Sequence, residues 1–118
     1  MSSRWAYFTE EEVAGLQGEL PAMLDRARGI AGIPFRLTAT VAKDGHSPNS
    51  AHYKGLAVDI GLGHLAEGAE RDAARWAILK GCYAAGFKRI EDCPLHIHVD
   101  LGEPPDYPSP CDWIGEDS

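Results

Sequence analysis

Two short stretches alternate apolar and polar positions with the period of a strand. In residues 56–62, Val58, Ile60 and Leu62 point one way and Ala57, Asp59 and Gly61 the other. In residues 96–101, Ile97, Val99 and Leu101 form the apolar set, while His96, His98 and Asp100 share the opposite face. Each strand offers the core one face and keeps a polar face free. Two more strands are predicted, over 35–42 after Pro34 and over 87–91, with Cys93-Pro94 turning the chain into the last one.

Elsewhere the period is helical. Thr9 and Glu12 fit a capping box with an acidic first turn, and Val13, Leu16 and Leu20 continue the spacing. A helix is expected from Thr9 onward, ended or kinked at Pro21. A second is expected over 22–30, with Met23, Leu24 and Ala27 inward and glycines at 29 and 32 to stop it. A third, Ala-rich helix spans 66–85 and is closed by Gly86. Residues 44–49 read as a loop. The tail over 103–110 is Pro-rich and extended, and Trp113 and Ile114 either pin its end to the body or line a groove. Strands that come mostly as neighbours, with helices to one side, predict an α+β fold with a small, largely antiparallel sheet.

The 118 residues suit one domain, with 1–8 as a lead and 103–118 as a tail. A net charge of −7 argues against a nucleic-acid surface and against affinity for anionic membranes. No apolar run approaches the ~20 residues that span a bilayer. The N-terminal residues lack the apolar region of a secretory signal, so the expectation is a cytoplasmic chain as synthesised, reaching any wall target only by phage- or lysis-dependent release. Cys82, Cys93 and Cys111 make no disulfide framework, which fits a reducing compartment. A monomer is expected.

The chemistry sits on the two polar faces. If the strands are neighbours, Asp59 and His98 meet on the open face of the sheet. His52 lies seven residues before Asp59, in a segment rich in Ser, Asn, Pro and Gly that can fold back over the strand. Any one of the three alone would suit an ordinary exposed sheet face. Together, two His and one Asp with a fourth position left to water make the ligand set of a catalytic zinc site.

Ser50-Ala-His52-Tyr-Lys-Gly55-Leu-Ala57-Val-Asp59 matches the S-x-H-x-x-G-x-A-x-D pattern, and the chain here resembles the zinc D-alanyl-D-alanine carboxypeptidase family, which includes phage endolysin peptidases. His96-Ile-His98 looks like the later H-x-H pair of that family. HYKGLAVDI, Asp44-Gly-His46 and HIHV are also similar to the hedgehog signalling domain, which shares the fold and the zinc site. The resemblance covers roughly residues 34 to 101.

It implies His52, Asp59 and His98 as ligands of Zn2+, Ser50 as their support, and His96 as a hydrogen-bond donor to substrate or oxyanion. It implies Asp92 as general base, six positions before the last ligand, with Glu91 as second choice. Leu95 stands where many members carry an acid, and neither Arg36 nor Lys43 is in register for the usual substrate-binding Arg. Ser50 and Tyr53 are candidates for substrate contact, and His46 and His64 read as loop bystanders. The implied function is a zinc metallopeptidase hydrolysing a peptide bond of peptidoglycan stem peptides, at the D-Ala-D-Ala terminus or the L-Ala-D-Glu link. The alternative is a non-catalytic, zinc-stabilised hedgehog-like binding module. A carboxylate within reach of the site's water discriminates them.

Overall fold

Leu20, Leu24 and Ala27 recur at helical spacing and form the buried stripe of α1 (Leu20–Ala31). In the computed structural model, which describes residues 4–41 and 50–117, Pro21 starts this helix instead of ending one. Its missing N–H falls in the first turn, where no intrahelical acceptor is available anyway. Gly32, at φ 74°, closes the helix in the left-handed conformation.

The helix expected from Thr9 does not form. Both capping-box bonds are made, Thr9 N–H to Glu12 Oε1 at 2.9 Å and Glu12 N–H to Thr9 Oγ1 at 3.1 Å. They close turns only, because Gly15 (φ 81°) and Gly18 (φ 59°) take the chain into left-handed backbone before a second turn can propagate. The segment serves as a brace instead: Gln17 N–H donates to the Gly55 carbonyl at 2.8 Å, beside the loop that carries His52.

The remaining elements are β1 (Leu37–Ala39), a 3-10 turn (Ala51–Lys54), β2 (Ala57–Gly61), α2 (Ala69–Ala84), β3 (Arg89–Asp92), β4 (His96–Asp100) and β5 (Cys111–Ile114). The strand expected over 35–42 is shorter at both ends, running only over Leu37–Ala39, and residue 42 lies outside the described residues, as do Lys43, Asp44 and His46. The sheet runs β1-β2-β4-β3-β5. Every pairing is antiparallel except β3 with β5, so the architecture is α+β with a mostly antiparallel sheet. The fifth strand was not expected. The tail does return to the body, but as an edge strand.

Both helices cover one face. Val58, Ile60, Ile90, Ile97 and Val99 point toward Leu24, Ala27, Ile78 and Cys82 in a single core cluster. Glycine permits close packing of the helices: a Cβ at Gly81 of α2 would overlap the Ala27 carbonyl oxygen of α1. Among the described residues, no helix is long and apolar enough to cross a membrane. The alternate positions of the same strands, Asp59, Glu91, His96, His98 and Asp100, line the other face.

Candidate metal centre

β2 and β4 bring Asp59 directly opposite His98. The 3-10 turn brings His52 over them. Its N-terminus is capped by Ser50, whose Oγ accepts the His52 N–H at 3.2 Å, and its end is Gly55 at φ 71°. A Cβ at Gly55 would lie 2.5 Å from the Gly15 carbonyl oxygen, so the turn is seated on the N-terminal brace. Ser50 thus shapes the loop. Tyr53 is half-buried in the same turn, and its N–H donates to the Ser50 carbonyl at 3.2 Å.

His52, Asp59 and His98 are all buried, and one nitrogen or oxygen of each lies within 4.8 Å of the other two. Asp59 Oδ1 is 3.1 Å from His52 Nε2 and 2.9 Å from His98 Nδ1. The outer ring nitrogens are both committed. His52 Nδ1 donates to the Thr40 carbonyl at 2.7 Å, and His98 Nε2 to Asp100 Oδ2 at 2.7 Å. Such bonds fix the tautomer and orient an imidazole that ligates a metal. The inner nitrogens and the carboxylate converge as an N2O donor set that fits a borderline-soft dication.

A second layer holds this arrangement. Arg89 Nε donates to Asp100 Oδ1 at 2.6 Å and Nη1 to the Pro108 carbonyl at 2.5 Å. Its guanidinium lies 4.8 Å from the Trp113 ring and 5.2 Å from that of Tyr107. One arginine thereby ties the tail to the acid that orients His98. Sequence reading left Arg89 out, although it alternates outward with Glu91 on β3.

Electrostatics favour charge at the centre. Burial works against ionised Asp59, but hydrogen bonds and charge from His52 and His98 outweigh it and hold the carboxyl far below the usual range. Burial likewise opposes a charged His98, yet its bonds to Asp100 and Asp59 prevail and push it up to about 9. Asp100 is kept low against its burial by His98, Arg89 and the Gly102 N–H.

His96 flanks the group, its Nε2 3.8 Å from Asp59 Oδ2. Its Nδ1 is 2.7 Å from Asp117 Oδ1, and the Asp117 carboxylate also accepts the Leu95 N–H at 3.0 Å. Asp117 and Glu91, from elsewhere in the chain, thus bring carboxylates beside His96. Glu91 pairs across the sheet with His98, and one of its oxygens lies within 4.8 Å of a His96 nitrogen.

Asp92, the expected base, lies on the opposite face of the sheet from His52, Asp59 and His98. It follows Glu91 by one residue, pairs in register with Ile97, and forms an ion pair with Arg75 of α2. Alternation along β3 is the signal that separates the two acids: Ile90 is buried toward the helices, so Asp92 goes with it and Glu91 does not. A cavity of about 510 Å3 opens beside His96, lined also by Arg36, Thr38, His64 and Asp117. Comparison with known proteins gives no matching family model, no similar curated protein and no similar solved structure.

Proposed function

We propose that the protein is a zinc-dependent peptidase, similar in fold and site to the D-alanyl-D-alanine carboxypeptidases and the hedgehog domain, that hydrolyses a peptide bond in peptidoglycan stem peptides. The observation that carries this reading is the joint placement of the anchored His52, Asp59 and His98 donors with the Glu91 carboxylate on one sheet face. A purely structural metal site has no need of a carboxylate alongside, whereas peptide hydrolysis needs a proton acceptor. Zinc held by the three residues would supply Lewis acidity toward water and the scissile carbonyl.

The chain's own residues supply the rest. Glu91 accepts a proton from the attacking water and returns it to the leaving amine. His96 is held through Nδ1 by Asp117, so its Nε2 is aimed at the centre, where in the imidazolium form it donates to the developing oxyanion. Asp100 and the Thr40 carbonyl keep His98 and His52 in the required tautomers. Arg36 and Thr38, in the cavity beside His96, offer a cation and a hydroxyl to a carboxylate of the stem peptide.

The test is mass spectrometry of purified stem peptides incubated with zinc-loaded protein and with a chelator-treated control. Zinc-dependent cleavage, with the products naming the bond, is expected. An intact set of stem peptides despite stoichiometric zinc would overturn the reading and leave a binding module.

A further inference from the structure

A second donor group borders the first. Glu91, Cys93 and His96 each place one ligand atom within 4.8 Å of the other two. We propose that these three side chains form a second, weaker binding site for a thiophilic divalent cation of the zinc class, adjacent to the first.

The donor types are those that zinc prefers, a thiolate, an imidazole and a carboxylate. The acid and the thiolate together cancel the charge of a dication. An independent observation concerns orientation. His96 has one nitrogen engaged by Asp117 at 2.7 Å, the carboxylate–imidazole pairing that presents the other nitrogen to a metal. Asp117 is itself fixed by the Leu95 N–H. The Glu91 carboxylate packs against Gly115, where the absence of a side chain leaves it space. Cys93 is 1% exposed, and its sulfur lies within 4.8 Å of a Glu91 oxygen and a His96 nitrogen. The cavity lined by His96 and Asp117 gives a cation access.

Asp59 marks the boundary between the two sites. Its Oδ1 faces His52 and His98, while Oδ2 lies 3.8 Å from His96 Nε2. The second site is the weaker one for two reasons. The Cys93 thiol must release its proton to solvent as the sulfur–metal bond forms, and a cation already at the first site repels the next. Filling it also has a chemical consequence, which rests on the peptidase reading. A second cation would occupy Glu91 and His96, the proton acceptor and the oxyanion donor, so excess metal would switch the enzyme off.

The experiment titrates the metal-free full chain with Zn2+ by calorimetry and with Co2+ by absorbance. Two equivalents are expected, and a thiolate-to-cobalt charge-transfer band should rise only with the second. Cys93→Ser should lose the band and the second equivalent while keeping the first, and Cys111→Ser should keep both. Glu91→Gln serves if Cys93→Ser fails to fold, and should weaken the second equivalent alone. Asp117→Asn should weaken it by roughly 10–100-fold. A single equivalent in the unmodified protein, a band that survives Cys93→Ser, or a second equivalent of unchanged affinity in Glu91→Gln would overturn the site. Where stem peptides are cleaved, excess zinc should inhibit the unmodified protein and spare Cys93→Ser. Two equivalents and the band without any cleavage would uphold the second site and remove the peptidase reading.

Discussion

Glu91 and Asp92 are neighbours in sequence with opposite fates, which makes them a sharp test of role. Glu91→Gln should lower peptide cleavage by about 10²–10⁴-fold while the first zinc equivalent stays bound, as expected for a lost proton acceptor. Asp92→Asn should leave cleavage unchanged and cost at most about 1 kcal/mol in thermal unfolding, because its partly exposed ion pair with Arg75 is screened. Equal loss of activity in the two variants would contradict the face assignment. His98 sets a pH signature. Its folded pKa of about 9 exceeds the unfolded 6.5. In the metal-free protein its charged form therefore contributes stability fully below pH 6.5, and that contribution, roughly 3 kcal/mol, is lost as pH rises through 9. Thermal melts of chelator-treated protein across this range should show the decline. Metal uptake runs the other way. A cation must displace the His98 proton below pH 9, so affinity should climb with pH by up to about tenfold per unit and level off above 9. Calorimetry in buffers of different ionisation enthalpy counts that proton.

At the scale of elements, β2 and β4 were legible because strict alternation over five or six residues suits a strand with one apolar and one polar face. The same pattern put Asp59 and His98 on polar faces that meet if the strands are neighbours, and the pairing of β2 with β4 meets that condition. β5 was hidden for the converse reason. Cys111–Ile114 is four residues long, follows a Pro-rich run, and sits at a sheet edge where burial is partial and no clean apolar face is required. The unformed helix at Thr9 shows a start signal overruled by glycine: capping bonds can be made by a single turn, and propagation is a separate requirement. Outer-layer partners such as Asp117 were out of reach of sequence reading, since they depend on where β5 delivers the end of the described chain. Gly81 tests helix–helix packing. Gly81→Val would drive a side chain into the Ala27 carbonyl and should cost roughly 1–3 kcal/mol in urea unfolding. Zinc affinity of the folded fraction should stay the same, because the helices and the metal centre lie on opposite faces of the sheet.

For the molecule as a whole, an ion held by His52, Asp59 and His98 would link metal to fold. With free zinc at 100 times its Kd, the first site should add about 2.7 kcal/mol to stability, or roughly 10 °C in Tm for a chain of this size, and a chelator should reverse the gain. Scanning calorimetry with and without chelator measures it. The interleaving of the sheet's two faces has a broader consequence. The centre and the core are built from alternate positions of the same strands, so a slip of β4 by one residue would turn Ile97 and Val99 outward and bury His96 and His98 against the helices. No such misassembled chain could gather His52, Asp59 and His98. A metal ion held at this centre would thus act as a proofreading step for strand assembly: whatever retained the ion would, by that fact, also have threaded its sheet correctly.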